Sequence, residues 1–265
     1  MPIEDTALSV TTSGSGVAEI SLNRPDLFNR VDALLHRQLA QAIEKLADDP
    51  SVRSVVLGST GSAFSAGGDF SLMEAAHSDL TERRAIVNDG RRLLRAFASI
   101  PQPVVAALQG PAIGLGATIA LLCDAVVAGP KASLADAHVA LGLVAGDGGC
   151  LVWPQAAGML RARRHLLTGD PIDPDTGWRL GLITDLVDST DEVLPFARAL
   201  AERIAKLAPL AVQGTKCALN RVTQQRAGEV VDLSFAFEEH TLASDDLLEG
   251  IAAFRERRDP LFQGR

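Results

Sequence analysis

The stretch Val104-Val105-Ala106-Ala107-Leu108-Gln109-Gly110-Pro111-Ala112-Ile113-Gly114-Leu115-Gly116-Ala117-Thr118 decides the fold. Its first five residues form an apolar run, the pattern of a strand buried on both faces. A glycine-rich turn follows at once and opens a helix that runs to about Leu122. Small residues there leave backbone N–H groups free and, lacking bulk at Cβ, let a ligand come close. An earlier stretch repeats the arrangement: a buried strand over residues 52–58, then Phe64-Ser65-Ala66-Gly67-Gly68-Asp69. Either turn alone is explained by glycine's ordinary use in tight turns. Two of them, each at the C-terminal end of a strand, mark the edge of an α/β core where ligands bind.

Outward from these turns the periodicity is consistent. Leu8–Thr12 and Val17–Leu22 alternate around Ser13-Gly14-Ser15-Gly16 and read as a β-hairpin. Residues 31–47 carry Val31, Leu34, Leu35, Leu39, Ile43 and Leu46 at helical spacing, and Asp48-Asp49-Pro50 stops them. An Arg-rich amphipathic helix is predicted over residues 80–98, a strand at Ala125–Ala128, helices over 151–167 and 173–180, and a last strand over 183–187. From residue 192 only helical patterns occur: 192–207, 210–223, 230–242 and 247–257. The fold class is α/β. The expected division is a β-containing core over 1–191 that holds the active site, then a helical C-terminal region over 192–265.

With 265 residues, 47% of them apolar and 22% charged, the composition is that of an ordinary globular protein. The net charge of −8 argues against nucleic acid as a partner. Cys123, Cys150 and Cys217 form neither a disulfide framework nor a zinc motif, which points to a reducing, cytoplasmic setting. Met1-Pro2-Ile3-Glu4-Asp5 has no positive n-region or apolar h-region, and no apolar stretch is long enough to span a membrane. Gly114-Leu115-Gly116 begins like a dinucleotide fingerprint, but the next required small position is Ile119. Walker-A, H-E-x-x-H and G-x-S-x-G patterns are absent. No metal site is predicted, and no cofactor beyond coenzyme A as part of a substrate.

Asn23-Arg24-Pro25, the two glycine-rich turns, Cys123-Asp124, Gly142-Leu143, Leu167-Thr168-Gly169-Asp170 and Gly181-Leu182-Ile183 occur in an order that resembles the enoyl-CoA hydratase/isomerase (crotonase) superfamily. The resemblance spans nearly the whole chain. It implies a spiral of ββα units with a C-terminal helical trimerisation region, assembled as a homotrimer or homohexamer. It implies an acyl-CoA substrate and an oxyanion hole of two backbone amides, which fall on Gly68 and Leu115. Such donors stabilise an enolate oxygen by about 3 kcal/mol each. Leu115 stands where glycine is frequent in the family, so its Cβ narrows the approach. The resemblance further puts Ala66, Phe254 and Arg257 at the CoA, the last two reaching a neighbouring subunit; a solvated helix end explains the charges around Arg257 equally well.

The two hydratase glutamates map onto Thr118 and His138, so neither carboxylate is present. The acid/base candidates are His138 and Asp147. Asp147 lies between glycines in an apolar stretch, though capping the following helix would also explain it. A lone histidine is ordinarily structural; His138 gains weight only from its family position. His138 with Gly146-Asp147-Gly148 resembles the branch that cleaves cyclic β-diketones by retro-Claisen hydrolysis, in which a His–Asp pair orients water. Three functions stay open: an acyl-CoA lyase or isomerase, a β-diketone C–C hydrolase, and a catalytically silent acyl-CoA-binding member. Asp69 is read as loop support, His36 and His165 as surface residues, His77 as a solvent-exposed loop residue. Glu239 and His240 are assigned to the helix surface, Trp153 and Trp178 to the core.

Overall fold

The computed structural model describes residues 6–265. The reading of the amino terminus rests on residues 1–5, outside the described residues. Six strands form the main sheet: β1 (Leu8–Thr12), β2 (Val17–Leu22), β3 (Ser54–Ser59), β4 (Val104–Leu108), β6 (Ala125–Ala128) and β8 (Asp185–Leu186), in the order β1-β2-β3-β4-β6-β8. The β1–β2 hairpin is antiparallel and the other pairings are parallel. A separate two-stranded parallel sheet joins β5 (Pro111–Ile113) to β7 (Ser133–Ala135).

The apolar runs of β3 and β4 are buried on both faces, and alternate residues feed different layers. Val55, Leu57, Val104 and Ala106 face the main core with α1 (Ala33–Ala47). Asp32 starts that helix by accepting from Leu35 N. Val56, Val105, Ala107 and Val127 face the opposite layer, formed by α8 (Val193–Ala205). Val193, Ala197, Ala201 and Ala205 recur every fourth residue there, a small-residue stripe that lets the helix lie close to the sheet.

The chain departs from its periodicity in identifiable places. Ahead of α3 (Leu80–Ser99) stands α2 (Phe70–Ser78), started by Asp69, which accepts from Ser71 N and Leu72 N. After α4 (Leu115–Leu121), the helix expected over 151–167 is two, α5 (Gly149–Ala157) and α6 (Met159–Leu166), parted at Gly158. After α7 (Pro174–Leu180), the two patterns at 210–223 and 230–242 are one 33-residue helix, α9 (Pro209–Thr241). Between them only Gly228 weakens a helix and no proline breaks it, so the intervening residues continue the helix. α10 (Asp245–Glu256) then folds back against α2 and the turn after β7. Trp178, read as core, is 55% exposed, whereas Trp153 is fully buried. Among the described residues, no helix is long and apolar enough to cross a membrane.

Candidate active site

The loop after β3 and the turn after β4 are laced together. Ser65 N donates to Pro111 O, and Ile113 N donates to Ser65 O. Val31 N donates to Gly67 O and Asp69 N to Val31 O, which leaves Gly68 N between two occupied neighbours. Leu115 is the first residue of α4, where an N–H has no intrahelical acceptor. Among the described residues, neither the Gly68 nor the Leu115 amide donates to a protein acceptor. Both residues border two adjoining cavities, an inner one of about 40 Å3 and an outer one of about 550 Å3.

His138 is on the wall shared by those cavities, beside the second turn. A Cβ built on Gly114 would stand 3.5 Å from its Cε1. Strand β7 delivers Asp136, and a short 3-10 turn over His138–Leu141 follows. The Asp136 Oδ1 to His138 Nδ1 distance is 2.7 Å. On the other side, His138 Nε2 is 3.3 Å from Asp147 Oδ2, an ion-pair distance whose direction falls short of a hydrogen bond. Burial works against a charged imidazole, but Asp136 and Asp147 outweigh it, and the His138 pKa is held well above the usual range.

Asp147 is 7% exposed. Its Oδ1 accepts from Thr118 Oγ1 at 3.2 Å and from Gly149 N at 3.3 Å, so it meets the start of α5 and faces the cavity together. Burial raises its pKa; the His138 charge and these two donors reverse that and leave it below the ordinary carboxylate value. Two flanking glycines make this geometry attainable. Gly148 adopts φ 115°, which a side chain resists, and a Cβ on Gly146 would stand 2.5 Å from Glu238 Cβ.

Glu238 is the residue that helical spacing hid. Glu239 and His240, read as helix-surface residues, lie off the inward face of α9, which Val231, Ser234, Phe235 and Glu238 share. Glu239 faces outward, 3.9 Å from Arg84. A carboxylate in phase with that apolar stripe was the available signal. Burial, aided by the negative charge of Asp147, pushes the Glu238 carboxyl up to about 8. Asp136 was likewise passed over, although it directly precedes the Ala137-His138 pair. His36 is not a surface residue: it is 4% exposed and lines the inner cavity. Burial pushes its pKa down. His77 belongs to α2 rather than to a loop, and it is half-buried.

Ala66 and Phe254 line the outer cavity, whereas Arg257 does not. Arg258 lines it instead, with its guanidinium held by Glu249 and Glu256. Phe254 reaches the cavity of its own chain, set edge-on to Phe70 at 5.2 Å, because α10 folds back rather than away. Among the described residues, no three acidic, His or Cys side chains are grouped to hold a metal ion.

The enoyl-CoA hydratase/isomerase family profile matches residues 12–265. The chain belongs to the enoyl-CoA hydratase/isomerase family. It is 35% identical over 249 residues to the 2,3-dehydroadipyl-CoA hydratase of Escherichia coli K12, covering 93% of this chain and 94% of that one. It is 32% identical over 254 residues to human mitochondrial enoyl-CoA hydratase domain-containing protein 2, covering 94% and 86%. The crystal structure of an enoyl-CoA hydratase/isomerase from Mycobacterium paratuberculosis superposes with a TM-score of 0.89 at 36% identity, covering 93% and 98%. The α/β crotonase fold is therefore this family member's fold.

Proposed function

We propose that this enzyme generates the enolate of an acyl-CoA thioester, with the Gly68 and Leu115 amides on the thioester oxygen and Asp147 and His138 moving the protons. One observation carries the reading: two unpaired amides border the same inner cavity as a buried, oppositely charged His138–Asp147 pair. Asp147, held ionised, is suited to take a proton from the α-carbon or from water. His138, held protonated, is suited to return one. As charge moves onto the thioester oxygen, the fixed amides stabilise it without reorganising. Hydration and double-bond isomerisation both pass through this enolate. Thr118 positions Asp147 instead of serving as an acid or base.

The outer cavity, with Ala66 and Phe254, takes the pantetheine arm, and Arg258 replaces Arg257 as the cation nearest the cavity. The exposed apolar side chains of α9, including Leu219, Val222, Leu233 and Phe237, suit a homotrimer or homohexamer. Three free thiols fit a cytoplasmic enzyme.

The test is α-proton exchange: acyl-, enoyl- and 3-hydroxyacyl-CoA thioesters are incubated in D2O and read by mass spectrometry. Exchange or turnover that Asp147→Asn abolishes is expected. No exchange and no turnover across the panel overturns the reading. A second reading draws on the Asp136 carboxylate at His138 Nδ1, which fixes the ring for water activation in β-diketone cleavage. It requires release of a carboxylic acid from a diketone and no calorimetric binding of CoA.

A further inference from the structure

Three buried polar atoms of inner-cavity residues have no hydrogen-bond partner among the described residues: His36 Nε2, Asp147 Oδ2 and Glu238 Oε2. Asp147 already has a role in the enolate chemistry. His36 and Glu238 do not, yet each is more than nine-tenths buried, at 4% and 6% exposure. They come from different elements, α1 and α9. Phe235, one turn before Glu238, links them: its ring is 2.8 Å from where a Cβ on Gly90 would stand, and His36 Cε1 is 4.0 Å from that same point. The rest of the lining is apolar, with Leu72, Ile86, Leu143 and Leu242 among it.

Buried polar groups without partners are uncommon in folded proteins, and those kept in a cavity wall call for a reason. A substrate atom that completes their hydrogen bonds supplies one. Burial keeps the His36 ring neutral. Glu238 is a carboxylic acid at neutral pH and can donate its proton in a hydrogen bond. A neutral ring nitrogen and a carboxylic acid match a neutral oxygen. They do not match a carboxylate, because Asp147 already places a negative charge there and His138 is shared between two carboxylates. A cavity of about 40 Å3 has room for a group of a few atoms.

We propose that His36 and Glu238 form a distal acyl subsite, and that the acyl group this enzyme takes is short and carries a keto or hydroxyl oxygen on the carbon beyond its β-carbon. The proposal rests on the reading that the Gly68 and Leu115 amides hold the thioester oxygen, since that sets which end of the acyl group enters the inner cavity.

Calorimetric binding to the intact protein tests it with length-matched thioesters: butanoyl-CoA against 4-hydroxybutanoyl-CoA, pentanoyl-CoA against 4-oxopentanoyl-CoA, and succinyl-CoA as the carboxylate arm. At least one oxygenated thioester is expected to bind tenfold or more tighter than its alkyl match, and succinyl-CoA no tighter than butanoyl-CoA. The keto and hydroxyl arms tell the two oxygens apart. Glu238→Leu and His36→Phe should each erase the preference, while Glu238→Gln, which keeps a donor amide, retains most of it. Thermal melts identify any variant that fails to fold, and the oxygenated-against-alkyl comparison on the wild type then decides alone. Equal or tighter alkyl binding overturns the proposal, as does a preference that survives both replacements. Alkyl thioesters that bind and exchange their α-proton as well as oxygenated ones sink the subsite and leave the enolate reading standing. Failure of every thioester to bind and exchange sinks the enolate reading and the subsite with it.

Discussion

The two cavities share Gly68, Met73, Leu115 and His138 but differ in almost everything else. The outer one, about 550 Å3, is walled by Phe70, Ile113, Leu141 and Phe254, and its cation Arg258 is already neutralised by Glu249 and Glu256. The inner one, about 40 Å3, is bordered by Asp147, His138, Glu238 and His36. The larger space offers area and little chemistry. The smaller offers displaced protonation states and little area. Binding and reaction are therefore expected to fail separately under mutation, and the amides of residues 68 and 115 stand where the two spaces meet.

The largest effects belong to the boundary and the inner wall. Leu115→Pro removes one N–H while leaving α4 intact, because the first helical position tolerates proline. A kcat loss on the order of 10²–10³ is expected, beyond the fall in thermal midpoint that losing the buried Leu115 side chain brings. An unchanged kcat would show that this amide holds no developing charge. Asp147→Asn keeps the shape and the cap to Gly149 but removes the proposed base, and a loss on the order of 10²–10⁴ is expected in α-proton exchange. Should Asp147→Asn cost only stability, the inner cavity is merely a polar void and the contrast between the cavities fails.

A middle-sized effect separates the inner cavity's groups by pH. The Glu238 carboxyl sits at about 8 in the folded chain against an ordinary value of 4.5. Between those limits the folded state holds a proton that the unfolded state has released. Stability therefore falls as pH rises from about 4.5 to about 8, at up to about 1.4 kcal/mol per pH unit. Glu238→Gln should flatten that slope and be the more stable protein near pH 8, as read by urea melts at several pH values. His138 has the same sign in a higher window. Its stabilisation is full below the ordinary value of 6.5 and is lost as pH climbs through its raised folded value, so a residual slope above 6.5 is expected in Glu238→Gln. Asp147 has the opposite sign and loses its contribution as pH falls through its depressed value. A slope unchanged in Glu238→Gln would mean the carboxyl is ionised inside the protein.

Sequence periodicity made the sheet legible, because β3 and β4 are short apolar runs ended by glycine-rich turns. The paired turns marked the ligand-binding edge of the core, and the family resemblance put the two amide donors on Gly68 and Leu115. What stayed hidden depended on contacts between distant segments. His36 is in register with the buried face of α1, yet a polar residue on a helix is by default assigned to solvent. Glu238 was obscured by its neighbours: Glu239 carries the same side chain, and only the phase of a 33-residue helix tells them apart. The helix read over 230–242 already carried that phase in Val231, Ser234 and Phe235. Trp178 erred the other way, since large apolar area favours burial but α7 lies at the surface.

The smallest expected effect tests the outer cavity by itself. Phe254 is 66% exposed and touches Phe70 edge-on, while the Arg255 guanidinium lies 6.0 Å from the Phe70 ring and pairs with Glu74. The aromatic pair is already formed in the free chain, so an acyl-CoA placed as proposed would gain contact area there without ordering new side chains. An aromatic contact contributes about 0.5–1.5 kcal/mol. Phe254→Ala should then raise KM by roughly 2- to 12-fold, with the effect absent from kcat, because a contact made equally in ground and transition states changes binding alone. Steady-state kinetics with a thioester that turns over would read the split. A fall in kcat at constant KM would mean that α10 also positions the inner cavity, through Gly250 and Leu141, whose main chains leave no room for a Cβ between them. The two spaces would then work as one site, and the division of labour drawn between them would be wrong.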